Sequence, residues 1–299
     1  MCYLILIERN EIYMSNVFEV KNLHFKYPKA KEDTIKSISF TLEKGKIIGL
    51  LGPSGAGKST TQKILIKLLS NYQGEILYNG KDLKSYGKEF YEDVGVGFEM
   101  PIHFNKLTAL ENLKYFASLY QNQADYIELL KKLNLEEDMN KPVGEFSKGM
   151  KVRLNFIRAL LNNPKVLFLD EPTNGLDPIN ARIIKDLIID FKNQGKTVFI
   201  TTHLMADVEQ LCDEVIFMTN GIISEKASPR DLKIKYGKKE VYVEYLEENK
   251  LQKATFDMNN LGHNEKFINM INHNQIETIH SGETSLEEIF IKVTGEKNE

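Results

Sequence analysis

Directly behind the apolar run Ile47-Ile48-Gly49-Leu50-Leu51 stands Gly52-Pro53-Ser54-Gly55-Ala56-Gly57-Lys58-Ser59, followed by Thr60. The string has the G-x-x-x-x-G-K-[ST] spacing of a phosphate-binding loop, set between a buried strand and a helix as that chemistry requires. Its glycines let backbone N–H groups turn inward around phosphate oxygens, and the helix N-terminus adds partial positive charge. Lys58 can reach the β- and γ-phosphates, and the Ser59 hydroxyl can ligate Mg²⁺. A chain built around this element folds as a nucleoside-triphosphate binder.

Composition narrows the alternatives. The 299 residues suit one large domain and a smaller one, and 42% apolar content supports a proper core. Lys+Arg 39 against Asp+Glu 42 leaves a net charge of -3, so no nucleic-acid partner is expected. Cys2 and Cys212 are too few for a disulfide framework and have no metal-ligand spacing, which fits a cytosolic protein. No apolar run approaches the ~20 residues that cross a bilayer. Residues 1–13, with Tyr3-Leu4-Ile5-Leu6-Ile7 before Met14, read as a dispensable extension or misassigned start, with an interfacial anchor as the alternative.

Strand and helix periods alternate along the chain. Val17 to Val20 and Ile35 to Phe40 alternate as half-buried strands, with the turn Phe25-Lys26-Tyr27-Pro28 between them. Lys58 to Leu69 has helical spacing, and Gly74 to Gly80 reads as a hairpin arm ending in Asn-Gly. From about residue 90 to 163 the texture is helical, with a capping box at Thr108 and Glu111 and a helix capped by Ser147. Val166 to Leu169 and Thr197 to Thr201 are continuous apolar strands, as in a parallel sheet covered on both faces. Asp177-Pro178 opens the helix between them, Gly195 closes it, and Val215 to Ile223 forms a hairpin. The pattern changes after Gly237, where Glu240 to Tyr245 alternates and Ser285 to Thr294 is a short capped helix. The expected architecture is an α/β P-loop core, its sheet mainly parallel, with an antiparallel β subdomain and an inserted helical subdomain over residues 14–237. Residues 238–299 are expected to form a small α+β appendage.

Two further sites carry chemistry. Asp170 and Glu171 end the strand before Pro172, where one carboxylate can hold Mg²⁺ and the other can orient or deprotonate a water. A solvated acidic loop is the bland alternative. His203 ends the strand Phe199 to Thr202 at the same sheet edge, where contact with a γ-phosphate competes with a purely structural role.

In this order, and from about Val17 to Gly237, the motifs resemble the ATP-binding cassette (ABC) ATPases. Phe146-Ser147-Lys148-Gly149-Met150 stands where that family carries its LSGGQ signature, followed by Arg153, Arg158 and Ala159. Gly175-Leu176-Asp177 resembles the D-loop, and Tyr27 takes the place of the aromatic that stacks on adenine. The signature keeps Ser147 and Gly149 but has Phe, Lys and Met at its other positions. Glu99 replaces the family's Q-loop glutamine, and a carboxylate there can still ligate Mg²⁺. The acidic Q-loop, the Ser-Lys-Gly-Met signature and the ending Thr284 to Phe290 look like the subfamily of drug, multidrug and haem exporter ATPases.

The resemblance implies an ATPase subunit of a membrane exporter, with ATP and Mg²⁺ as cofactors. Two cassettes would close head-to-tail over two MgATP. Each site would combine Lys58, Ser59, Asp170, Glu171 and His203 of one chain with Ser147 and Gly149 of the other. A separate integral membrane permease would be driven from the cytoplasmic face and would dock near Glu99 to Glu111. The alternative is an ABC ATPase acting on ribosomes or DNA, whose members usually carry paired cassettes or a long coiled coil. This chain has neither. The transported substrate is not legible here.

Overall fold

The computed structural model describes residues 16–100, 102–247, 250–282 and 284–295. Residues 1–13, read above as extension or anchor, lie outside the described residues. The chain divides into two compact units, the second beginning at Ser228.

The first unit opens with β1 (Asn16–Phe25) and β2 (Ile35–Glu43), which pair antiparallel. After β3 (Ile47–Leu51) and helix α1 (Lys58–Leu65), β4 (Gln73–Tyr78) and β5 (Lys81–Asp82) complete a four-stranded sheet in the order β2-β1-β4-β5. Helix α1 is shorter than its periodicity suggests, because Lys67 turns to φ +61° and the chain leaves the helical path. Short α2 (Phe90–Asp93) leads to β6 (Val94–Gly97). Three helices follow, α3 (Ala109–Ala117), α4 (Tyr126–Lys132) and α5 (Lys148–Leu160). The unit is completed by β7 (Val166–Asp170), α6 (Pro178–Asn193), β8 (Thr197–Thr202), α7 (Met205–Leu211), β9 (Glu214–Thr219) and β10 (Ile222–Ala227).

The central sheet runs β10-β9-β3-β8-β7-β6, parallel throughout except where β10 pairs antiparallel with β9. Strand β3 is buried at every position, so its hydrophobic run is continuous rather than alternating. Aromatic rings join the two sheets of this unit. Phe18 lies 4.9 Å from Tyr78 and 5.6 Å from Phe168, while Phe40 stacks at 6.3 Å on Phe199.

Local signals set the helix boundaries. Thr108 and Glu111 form the reciprocal capping box at α3, and Ser147 accepts the Met150 N–H at α5. Asp177 accepts from Ile179 and Asn180 ahead of Pro178 at α6. Strand β6 lies inside the stretch whose texture reads as helical. Its Val-Gly-Val-Gly sequence is short and carries no strong strand former beyond two valines, and pairing with β7 decides its conformation.

The second unit holds α8 (Pro229–Tyr236), β11 (Glu240–Glu247), β12 (Lys250–Asp257), α9 (Glu265–His273), β13 (Gln275–Ser281) and α10 (Leu286–Thr294). Its sheet runs β12-β11-β13, antiparallel, with a small core of Val241, Val243 and Met270. Phe256 and Phe267 meet edge-on at 5.3 Å across that core. Ser285 caps α10, and Gly295 ends it at φ +73°. Helix α8 belongs to this unit, although the sequence pattern changes only after Gly237.

Candidate functional site

Strands β3, β7 and β8 lie side by side and end at one edge of the central sheet, where an open α/β sheet places its ligand crevice. The loop after β3 turns into α1 through Gly57, whose φ of +108° is open to glycine alone among common residues. No side chain caps α1, so its first N–H groups are available to an anion. A cavity of about 450 Å³ opens there, large enough for a nucleotide's phosphates. Residues Ser54 to Thr60 line it, together with Glu99, Asp170, Glu171, His203 and Thr34.

Lys58 is buried, and its ammonium donates to the carbonyls of Gly52 at 2.6 Å and Pro53 at 3.0 Å. Burial lowers its pKa, while Glu171, Asp170 and Glu99 oppose that shift. The lysine is thus a desolvated cation whose ammonium rests on carbonyls of its own loop. Ser59 Oγ lies 3.5 Å from Asp170 Oδ1, and Thr201 donates to the same oxygen. Thr201 Oγ1 also lies 3.0 Å from Gln62 Oε1, which links β8 to α1.

Glu171 follows β7 with its backbone at φ +49° and its own N–H bonded to the Thr201 carbonyl. Its carboxylate is buried and accepts from Thr202 Oγ1 at 2.8 Å and from the His203 N–H at 3.1 Å. Nδ1 of His203 lies 2.7 Å from Glu171 Oε1, which leaves the far side of the ring toward the cavity. The carboxylate and imidazole form one hydrogen-bonded unit able to take and hold a proton.

The oxygens fit a magnesium ion. Ser59 and Asp170 are close together, and the Glu99 carboxylate lines the same cavity. Among the described residues, no three His, Cys, Asp or Glu side chains converge to hold a metal unaided. Mg²⁺ takes one or two carboxylates and completes its shell with water and substrate phosphates, a donor set that the Ser59 hydroxyl and the Asp170 carboxylate match.

The remaining sequence-derived residues lie elsewhere. Tyr27 does not line the cavity, although its hydroxyl lies 3.2 Å from Thr60 Oγ1 and its ring meets Phe25 edge-on at 4.9 Å. Gly52 and Pro53 sit behind the loop as acceptors for Lys58. Ser147 and Asp177 are exposed at the starts of α5 and α6, and neither reaches the cavity. Hydrogen bonds from Asn180 hold the Asp177 carboxyl below its usual pKa. A Cβ at Gly149 would stand 3.5 Å from Leu176, so these two helix starts adjoin. Thr34, Gln62, Thr201 and Thr202 carry no motif, and sequence reasoning missed them.

The chain is similar to known proteins over most of its length. The model of the family described as ABC transporter matches residues 35–174, and one described as fluoroquinolone efflux ABC transporter C-terminal domain matches residues 239–283. A fluoroquinolones export ATP-binding protein of Mycobacterium tuberculosis is 48% identical over 283 residues, which are 94% of each chain. A lantibiotic transport ATP-binding protein of Streptococcus pyogenes is 36% identical over 212 residues, 70% of this chain and 90% of that one. Among solved structures, a dimeric post-hydrolysis state of an ATP-binding cassette bound to ADP and Pi superposes with a TM-score of 0.64. It is 25% identical and covers 71% of this chain and 98% of its own.

Proposed function

The chain belongs to the ABC transporter ATP-binding proteins, ATPases by family, and on that premise we propose that two copies close head-to-tail over two MgATP to drive a separate membrane exporter. The observation that carries this reading is the division of the site within one chain. Lys58, Ser59, Asp170, Glu171 and His203 gather around one cavity, while Ser147, Gly149 and Asp177 stand outside it on exposed helix starts. A second copy placed head-to-tail brings those helix starts to the nucleotide. The dimeric state of the superposed cassette supports the same arrangement.

In the closed pair, Lys58 turns from the Gly52 and Pro53 carbonyls to the β- and γ-phosphates. Ser59, Asp170 and Glu99 would hold Mg²⁺, whose charge offsets that of the phosphates. Glu171 accepts the proton of the water that attacks the γ-phosphorus, and His203 steadies that carboxylate and meets the γ-phosphate. ADP leaves with the electron pair of the broken bond. Tyr27 stacks on the adenine at the rim.

No helix among the described residues is long and apolar enough to cross a membrane, so transport on this reading needs a spanning partner. The segment after Glu99 supports a docking role. Met100 and Ile102 are 81% and 82% exposed, and Phe104, Leu107, Tyr115 and Leu119 extend the apolar surface. Such a partner would hold this chain at the cytoplasmic face. The export relatives make drug-like cargo the first class to test, beginning with fluoroquinolones. Affinity purification from native membranes tests the assignment, with an integral membrane permease as the expected stoichiometric partner. Recovery with ribosomes and without a membrane protein would overturn it.

A further inference from the structure

The ladder between β7 and β8 ends where Asp170 stands opposite Thr201, and one further backbone bond, at 2.9 Å, carries it to the Glu171 N–H. Past that point the two segments part. One turns through Pro172 toward α6, and the other passes through His203 into α7. The contact between Glu171 and His203 then depends on side chains, and a threonine clips the segments together on either side of it. Thr202 Oγ1 donates to Glu171 Oε2 at 2.8 Å and accepts from the Leu204 N–H at 3.0 Å. Beyond Glu171, the buried Thr173 donates its hydroxyl to Oδ2 of Asp207 on α7.

Asp207 does not line the nucleotide cavity, and its carboxylate is itself anchored. Lys185 of α6 donates to its Oδ1 at 3.0 Å and to Gln210 Oε1 at 2.8 Å. Both side chains of that ion pair are only 17% exposed, so water screens it less than a surface pair. Asp207 also stands in the first turn of α7, where the helix dipole favours a negative charge. What this anchor holds is the turn between Glu171 and Asp177. A hydroxyl donating to a carboxylate is stronger than a bond between neutral groups. The hold matters because Glu171 has its backbone at φ +49°, a conformation that persists only where the surroundings enforce it.

We infer that Asp207 and Thr173 are positioning residues for hydrolysis. Their bond holds the turn after Glu171 against α7, and so keeps the Glu171 carboxylate on the His203 ring, 2.7 Å from Nδ1. The inference rests on the reading of Glu171 as the base. It adds the lock that keeps the base in place while the water attacks. With the lock gone, the turn can relax at Glu171 and carry the carboxylate off the imidazole, with the phosphate loop untouched.

Steady-state ATPase kinetics of the full chain, in the form purified from native membranes, test this. Thr173→Val removes the donor, and Asp207→Ala removes the acceptor. In either variant kcat should fall by about tenfold or more while KM for MgATP stays within about twofold, since a misplaced base costs rate and not binding. Thr173→Ser returns the hydroxyl and should restore kcat. The double variant should lose no more than the worse single one, because both act through one bond. Nitrogen-15 NMR of labelled histidine, with the His203 signal assigned through His203→Gln, reads the pair directly. Its Nδ1 shift should move in Thr173→Val and return in Thr173→Ser. Wild-type kcat in Thr173→Val would overturn the inference, and so would a lowered kcat with the His203 signal unmoved. If Asp207→Ala does not fold, the two Thr173 variants decide the matter alone. Retained turnover in Glu171→Gln would bring down the reading of the base and this inference with it. If Glu171→Gln is inactive and Thr173→Val is unimpaired, the lock alone is wrong.

Discussion

Glu171 combines three constraints that seldom meet in one side chain: a backbone at φ +49°, burial, and a carboxylate wedged between Thr202 and His203. A non-glycine residue held in that region costs free energy and persists where its surroundings enforce it. Glu171→Gln keeps the shape and loses the base, so turnover should vanish while ATP still binds. The variant should elute with MgATP as a dimer on size exclusion, and retained hydrolysis would show that the base lies elsewhere. Tyr27 gives a second test. Tyr27→Ala should weaken ATP binding by about 1–3 kcal/mol if the ring stacks on the base. Tyr27→Phe loses only the Thr60 contact and should bind nearly as well, which calorimetry would resolve. Lys58, Asp170, Glu171 and His203 were legible because each sits at a fixed offset from an apolar strand. Thr201 and Gln62 were not, since their meeting depends on β8 coming to rest against α1 from far along the chain.

Elements were legible where the boundary is chemical and illegible where pairing decides it. Thr108, Ser147, Asp177 and Ser285 each cap the helix that their position announces. Strand β6 has no such signal, yet its glycines are fixed by packing: a Cβ at Gly95 would stand 2.0 Å from the Ala159 carbonyl oxygen of α5. Gly95→Ala should therefore cost on the order of 1–3 kcal/mol through forced displacement of β6 or α5, measurable by urea unfolding. The loop after β6 carries a pH signature as well. His103 titrates near 4 when folded and near 6.5 when unfolded, with Arg158 and Lys151 as its charged neighbours. Between those values the unfolded chain binds the extra proton, so stability falls as pH drops from 7 toward 4. His103→Gln should flatten that part of the profile, seen as a smaller loss of Tm between pH 7 and pH 5.

At the scale of the whole molecule, most strands of the antiparallel and central sheets follow from strand patterns, with β6 the exception. In the second unit the sequence pattern marks only one strand, from Glu240, and one helix, from Ser285. Strand β12 carries Lys250, Gln252 and Lys253 among its apolar residues, and six of its eight positions are exposed. Such a strand has little hydrophobic periodicity, and only pairing with β11 defines it.

The strand order β10-β9-β3-β8-β7-β6 also sets a timetable for synthesis. Strand β3 carries the phosphate loop, but its two neighbours, β8 and β9, are translated long after it. A ribosome adding roughly 5–20 residues per second needs on the order of 8–30 s to travel from Gly52 to His203. Throughout that interval the nascent chain exposes an all-apolar β3 with no partner on either side, a natural client for a holdase chaperone. A ribosome-arrested chain ending at Gly195 should fail to photo-crosslink to an azido-ATP probe, whereas one ending at Gly237 should label, each behind a linker that clears the exit tunnel. Labelling of the shorter chain would mean that the loop folds before its sheet. The birth of this ATPase is therefore gated by its own topology, with a phosphate loop made early and competent only once β8 and β9 have joined β3.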